Sequence, residues 1–313
     1  MPDWKILLTD SLAENGLSIL QPQAQVDDRN GIEAQELLQV AGDYDAMIVR
    51  GRTKVSAQVF EVAKRLKVVG RAGVGVDNID LAAANAHQVT VVNAPTSTTL
   101  AVAELTVGLM FCLARHIPAA DADMKKGQWT KKQLQGIELN SKTLGVVGMG
   151  NIGSEVAQRG TALSMQVLGY DPLLSPEEIT QRGAQPVSLP DLYERSDFIS
   201  LHVPLTPETR DMIDAQALGR MKRGARLICA ARGGIIDETA LLGALESGQV
   251  SGAALDVYAQ EPPGLSALVA HPNVIATPHI GAQTAEASAR AAADIASEVM
   301  AALNGRALRW KIV

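Results

Sequence analysis

Short apolar runs rich in β-branched residues alternate along the whole chain with Ala-, Leu- and Glu-rich segments. Before residue 100 the runs fall at 5–9, 46–49, 67–70 and 89–92; after residue 140 they fall at 143–148, 166–170, 198–203, 226–230, 252–257 and 273–277. They are apolar throughout rather than alternating, the pattern of strands in a parallel sheet covered on both faces. Alternation with helices makes βαβ units, which predicts an α/β protein with two doubly wound parallel sheets. The turn-like stretch 93–99 precedes a long helical run over 100–116 that opens on Ser/Thr capping candidates and stops before Pro118. It reads as the link between two domains. The tail 285–303 is Ala-rich and helical in pattern, placed either to complete the second sheet or to return and cover the first domain.

Composition narrows the class. A chain of 313 residues is long for one core. It is 47% hydrophobic with only 3% aromatic residues, so the cores must be aliphatic. The net charge of −6 argues against nucleic acid as a partner, which would need a concentrated basic patch. Cys112 and Cys229 both lie in apolar runs, without a disulfide framework, which fits a reducing, cytoplasmic setting. Met1-Pro2-Asp3-Trp4-Lys5 leads into a strand-like run with no signal-peptide layout. No apolar stretch approaches the roughly 20 residues of a membrane span, so no membrane partner is expected.

One motif points to a dinucleotide. Gly148-Met149-Gly150-Asn151-Ile152-Gly153 follows a strand-like run at once, and the segment from Ser154 can open a helix. The glycines permit a tight turn, close backbone approach to a pyrophosphate, and close helix–strand contact. A helix N-terminus presents N–H groups and the positive end of its dipole to that anion. Asp171 ends the next strand at about the expected spacing of roughly 20 residues. Its carboxylate can accept bonds from a ribose 2′-OH and repel a 2′-phosphate, favouring NAD over NADP; alone, an acid before Pro172 is also an ordinary turn residue.

Three further residues supply acid–base chemistry. Oxidising a secondary alcohol needs a base for the hydroxyl proton while hydride departs, and an imidazole titrates in the useful range. His279 follows the strand-like run 273–277, at the strand end where open α/β sheets place ligands. Glu261, in a Pro-rich loop after the strand ending at Val257, is the candidate to orient the ring. Arg232, followed by Gly233 and Gly234, is the candidate cation for a substrate carboxylate or carbonyl oxygen. Of the other histidines, His87, His116 and His271 read as surface or capping residues, while His202, in His202-Val203-Pro204, lines the site at most. Taken singly, each candidate would more often be a solvated or turn residue. No metal is expected.

At these residues the chain resembles the D-isomer-specific 2-hydroxyacid dehydrogenase family. The likeness spans nearly the whole sequence, through Val49-Arg50-Gly51-Arg52-Thr53-Lys54-Val55, Gly70-Arg71-Ala72-Gly73-Val74-Gly75-Val76-Asp77-Asn78, Gly169-Tyr170-Asp171-Pro172, Ala231-Arg232-Gly233-Gly234, Ala253-Ala254-Leu255-Asp256-Val257 and Thr277-Pro278-His279-Ile280-Gly281-Ala282. It implies a Rossmann NAD-binding domain (97–284) inserted into a flavodoxin-like substrate domain (1–96 and 285–313), with catalysis by Arg232, Glu261 and His279. It further implies cofactor contacts at Gly148, Gly150, Asn151, Ile152, Gly153, Asp171, His202, Val203, Pro204, Ala230, Ala231, Arg232, Asp256, His279, Gly281 and Ala282, Asp256 holding the nicotinamide carboxamide. The substrate anion falls to Arg50, Arg52, Arg71 and the backbone of Ala72, Gly73 and Val74, and the arginine pair Arg50 and Arg52 suits a phosphorylated hydroxyacid. Val74 stands where close relatives often carry Thr. Longer members continue into C-terminal regulatory modules, so a chain ending at Val313 is expected to lack that feedback. A homodimer or higher homo-oligomer is also implied, with residues 100–116 and 125–132 near the interface. Two alternatives remain: a glyoxylate/hydroxypyruvate reductase or other D-2-hydroxyacid dehydrogenase, and an NAD-sensing, corepressor-like interaction protein.

Overall fold

A computed structural model describes residues 4–313; Met1, Pro2 and Asp3, and with them the expectation for the extreme N-terminus, lie outside the described residues. The chain divides into two compact units, one of residues up to Thr98 together with Ala282–Val313, the other Thr99–Gly281.

In the first unit, β1 (Trp4–Leu8), β2 (Ala24–Asp28), β3 (Ala46–Val49), β4 (Val68–Arg71) and β5 (Thr90–Asn93) form a parallel sheet in the order β2-β1-β3-β4-β5. That is the flavodoxin-like order, reversing between β1 and β3. β2 was absent from the apolar pattern because its sequence, Ala-Gln-Val-Asp-Asp, is that of a polar edge strand. The helix Ala285–Leu303 covers one face of this sheet, which resolves the alternative left by the sequence. Thr284 caps its start by accepting from the Ala287 N–H at 3.1 Å. Ile295, Ala296, Val299, Met300 and Leu303 pack with Ile6, Leu8, Ile48 and Val68. Each large side chain so buried contributes roughly 1.5–3 kcal/mol before entropy is counted. Close approach depends on Gly70, where a Cβ would lie 2.5 Å from Val299 Cγ2 and 2.9 Å from Ile295 Cγ1. Within the helix, buried Glu298 accepts from the N–H groups of Arg309 and Trp310, which follow the helix, and Lys311 bridges antiparallel to Val92 on β5.

In the second unit, β6 (Thr143–Val147), β7 (Gln166–Tyr170), β8 (Gln185–Pro186), β9 (Phe198–Leu201), β10 (Ala225–Cys229), β11 (Val250–Leu255) and β12 (Val274–Ala276) form a parallel sheet in the order β12-β11-β10-β9-β6-β7-β8. Counted from β6, this is the dinucleotide-binding order with one further strand, and it reverses between β6 and β9. Alternate residues of the central strands feed two aliphatic cores. Val147, Leu201, Leu227 and Leu255 face one side, and Leu144, Val146, Phe198 and Ile228 the other. The helix Thr99–Arg115 packs in the latter through Met110 and Leu113. It stops where His116 turns left-handed (φ 54°), ahead of Pro118. β8 is only two residues long and left no hydrophobic trace.

Candidate functional site

The glycine turn lies where the strand order of the second sheet reverses. Gly148 leaves β6 at φ 90°, and a Cβ there would sit 2.8 Å from the His202 carbonyl carbon and oxygen. Only glycine fits, because both the dihedral and the space exclude a side chain. Gly153 is also tight: its Cβ would fall 1.9 Å from the Gly148 oxygen. Gly150 differs, since a Cβ built there meets nothing within 4 Å. It starts the helix Asn151–Ala162 without a side-chain cap, so the first-turn N–H groups have no competing oxygen from Gly150. The helix opens at Asn151, three residues earlier than Ser154, which puts Asn151 and Ile152 in that first turn. An uncrowded surface over bare helix amides fits a pyrophosphate.

Asp171 leaves β7 half-buried and reaches back to the turn. Its Oδ2 accepts from the Met149 N–H at 2.9 Å and its Oδ1 from the Leu173 N–H at 2.9 Å. The residue therefore braces the glycine turn, with one backbone N–H on each carboxylate oxygen. His202 follows β9, and its N–H donates to the Val147 carbonyl at 2.8 Å. Its Nε2 pairs with Ser200 Oγ at 2.8 Å, while its Nδ1 is buried without a partner among the described residues. Although the residue as a whole is partly accessible, burial of the ring pushes its pKa down to about 4, so it is neutral near pH 7. Val203 packs beside Gly148, and Pro204 is exposed.

The catalytic candidates come from three adjacent strand ends. Cys229, Leu255 and Ala276 are in register across β10, β11 and β12. Buried Ala230 and Ala231 lead to Arg232, half-buried, with its Nη1 donating to the Ala231 carbonyl at 2.7 Å. Gly233 lets this loop touch the next: a Cβ would lie 1.7 Å from the Tyr258 oxygen. Tyr258 in turn donates its N–H to Glu261 Oε1 at 3.1 Å. Glu261 Oε2 meets His279 Nδ1 at 2.8 Å, although both side chains are substantially exposed (37% and 49%). Asp256 is 1% exposed, accepting from Thr277 Oγ1 at 2.6 Å, the Ile280 N–H at 2.8 Å and the Gly281 N–H at 2.8 Å. Gly281 ends the second unit, and Ala282 begins the return to the first.

The substrate candidates form a group of their own in the first unit. Arg50 leaves β3 where that sheet's order reverses; its N–H donates to Asp10 Oδ2 and its carbonyl accepts from Asn78, both at 2.8 Å. No acceptor among the described residues engages its guanidinium. Arg52 departs from expectation. Its Nε donates to Asp10 (3.2 Å), its Nη1 to the Ile32 carbonyl (3.2 Å) and its Nη2 to the Thr9 carbonyl (2.8 Å), so its fork is committed to tying loops together. Arg71 leaves β4 and lies over Gly73, where a Cβ would fall 1.5 Å from its Nη1. Gly73 itself is at φ 146°. Asn93 Nδ2 donates to the Val74 carbonyl at 2.7 Å and the Ala94 N–H to the Gly73 carbonyl at 2.9 Å, which fixes the Ala72–Val74 backbone. Val74 offers no hydroxyl.

Sequence reasoning overlooked Tyr258, Thr277 and Asn93. None carries charge or an imidazole, and Tyr258, at a buried strand end, reads as core. Among the described residues no group of three potential metal ligands occurs, and no single helix is long and apolar enough to cross a membrane.

Comparison with known proteins agrees with this layout. The family described as D-isomer specific 2-hydroxyacid dehydrogenase, NAD binding domain, matches residues 107–281. A D-3-phosphoglycerate dehydrogenase of Synechocystis sp. is 47% identical over 96% of this chain and 54% of its own length. One from Methanocaldococcus jannaschii is 47% identical over 96% and 58%. The chain thus spans about half the length of the curated relatives it matches. Among solved structures, the TT0316 protein of Thermus thermophilus is 35% identical with a TM-score of 0.90, covering 99% of this chain and 100% of that one. A glyoxylate reductase from Paecilomyes thermophila is 30% identical with a TM-score of 0.90, covering 100% and 99%.

Proposed function

The chain belongs to the D-isomer-specific 2-hydroxyacid dehydrogenase family, and on that premise we propose that it oxidises 3-phospho-D-glycerate to 3-phosphohydroxypyruvate with NAD. The observation that carries the chemistry is the His279–Glu261 pair at 2.8 Å, set at strand ends beside the Arg232 loop. NAD, when bound, supplies the hydride acceptor. His279, with Nδ1–H donated to Glu261, keeps the lone pair of Nε2 for the C2 hydroxyl proton. Arg232 offsets the charge of the carboxylate and the developing carbonyl oxygen. Asn151 and Ile152 receive the pyrophosphate and Asp171 the adenosine ribose, which sets NAD above NADP. The phosphorylated substrate is favoured by relatives at 45–47% identity that carry this activity in their names, and by Arg50, whose guanidinium is engaged by no acceptor among the described residues.

The test is NADH formation from 3-phospho-D-glycerate with a phosphohydroxypyruvate trap, beside the variant His279→Ala. Activity lost in the variant supports both substrate and relay. Reduction of glyoxylate or hydroxypyruvate with no oxidation of the phosphorylated acid moves the protein to the reductase branch. NAD binding without turnover of any hydroxyacid would favour the sensing role.

Self-association is part of the proposal. Leu100, Phe111, Ile117, Met124 and Trp129 are exposed within 30 residues of the second unit, and Trp129 is 78% accessible. Lys131 and Lys132 adjoin them. Apolar side chains in that number favour burial against a second copy. A monomer by light scattering at assay concentration would overturn the homodimer.

A further inference from the structure

We infer that Asp256 is a positioning residue for the proton relay, its buried carboxylate clamping the loop that carries His279. The inference rests on the dehydrogenase reading only for what His279 does; the clamp stands on geometry alone.

The Glu261–His279 contact needs an external anchor. A hydrogen-bonded pair as accessible as this one contributes little and does not hold its own geometry. His279 also sits at φ 53°, a left-handed conformation that is strained for a residue with a side chain. Exposed and strained, the ring would drift unless the backbone beneath it were fixed.

Asp256 supplies that fixation. A carboxylate 1% exposed is costly unless its lone pairs are used. Here they are used on both sides of His279: Thr277 Oγ1 and the Ile280 N–H reach Oδ1, and the Gly281 N–H reaches Oδ2. Successive backbone N–H groups converging on one anion after a left-handed residue form an anion-holding nest. The acid stabilises the conformation that aims the imidazole. Gly281 is needed for the fit, since a Cβ there would lie 3.1 Å from Asp256 Oδ2 and 3.3 Å from Val102 Cγ2.

The clamp extends to the other partner of the relay. The Tyr258 hydroxyl shares its single proton between the Leu255 carbonyl at 2.9 Å and the Thr277 carbonyl at 3.1 Å, and the residue's N–H holds Glu261. Thr277 is thereby gripped twice, by Asp256 through its side chain and by Tyr258 through its carbonyl. Glu261 and His279 are built on one hydrogen-bonded frame, with Asp256 at its buried end. Removing the carboxylate should therefore loosen proton transfer more than cofactor binding.

The experiment uses the full chain with Asp256→Asn and, in case that variant does not fold, Thr277→Val. Amide hydrogen exchange at Ile280 and Gly281 is measured with the NAD+ dissociation constant and kcat for 3-phospho-D-glycerate. In Asp256→Asn an amide faces the Gly281 N–H, donor against donor. Exchange at 280 and 281 should rise about tenfold or more and kcat should fall on the order of a hundredfold, with the NAD+ constant weakening by less, about tenfold at most, since the family resemblance also places this carboxylate at the nicotinamide carboxamide. Thr277→Val should move exchange and kcat in the same directions by less. Unchanged exchange in both variants would overturn the clamp. A much weakened NAD+ constant with kcat intact at saturation would overturn the positioning role and leave Asp256 acting on the cofactor. If the wild type fails to oxidise the phosphorylated acid, the substrate assignment falls, while the exchange measurement still decides the clamp.

Discussion

Gly153→Ala pits a local preference against a tertiary contact, and the structure says which wins. Gly153 lies in the first turn of the helix Asn151–Ala162, and replacing glycine by alanine inside a helix is ordinarily worth up to about 1 kcal/mol. The new methyl, however, would lie 1.9 Å from the Gly148 oxygen and 3.2 Å from Val146 Cγ1. Restoring ordinary contact requires a movement of more than roughly 1 Å. The Gly148 side cannot yield easily, because its N–H is bonded to the Tyr170 carbonyl at 2.8 Å and His202 crowds it from behind. The helix must back away instead, although Val156 and Ala157 are buried beneath it. Overpacking of this kind costs about 1–3 kcal/mol or more, so the net change is destabilising by roughly 1–2 kcal/mol. For a unit of this size that lowers the melting temperature by about 2–8 °C. Displaced first-turn amides should also weaken NAD+ by tenfold or more, on the order of 1.4 kcal/mol. Gly150→Ala is the control: its methyl enters open space, so melting should stay within about 1 °C while NAD+ binding weakens through direct obstruction. Calorimetry and titration on both variants give the answer. A Gly153→Ala protein that melts higher and binds NAD+ normally would refute the reasoning.

Five other substitutions discriminate among the assigned roles. Glu261→Gln cannot accept from both the Tyr258 N–H and His279 Nδ1, so kcat should fall roughly 10²–10⁴-fold with the NAD+ dissociation constant unchanged, as stopped-flow and titration will read. Asp171→Ala removes both the ribose acceptor and the Met149 brace, so NAD+ should bind about tenfold more weakly and the preference over NADP+ should narrow, measured as paired dissociation constants. Arg52→Ala should cost stability, about 1–2 kcal/mol by denaturant unfolding, whereas Arg50→Ala should leave stability alone and raise KM for the phosphorylated acid. His202 takes its proton near pH 6.5 when unfolded but only near pH 4 when folded, so stability should decline as pH falls through that window, and His202→Asn should flatten this part of the unfolding profile.

How much of this was legible in the sequence depends on whether a residue's role is set by its neighbours along the chain or across space. Central strands announced themselves: β3 and β7 match their apolar runs residue for residue, β3 buried at every position and β7 at Val167, Leu168 and Gly169, because both sheet faces are covered there. The strands β2 and β8 did not, since β2 is the polar run Ala-Gln-Val-Asp-Asp and the two residues of β8 make no period. The glycine turn was legible because backbone conformation and close approach demand particular residues at fixed spacing. Partnerships across space were not. Arg50 and Arg52 sit two residues apart in one cationic segment, yet Asp10 takes the backbone of the first and the guanidinium of the second. That single carboxylate, 40 residues upstream of Arg50, leaves the first guanidinium without an acceptor among the described residues and commits the second to the fold. The same holds for Asp256, whose place in the apolar run 252–257 marks an acid at a strand end but not the loop 21 to 25 residues downstream that uses it. In this fold the chemistry-bearing side chains are named by local motifs, and their orientation is set by acids (buried Asp10 and Asp256, half-buried Asp171) reaching from neighbouring strand ends. Exposed pairs such as Glu261 and His279 can then be geometrically defined while remaining open to a substrate.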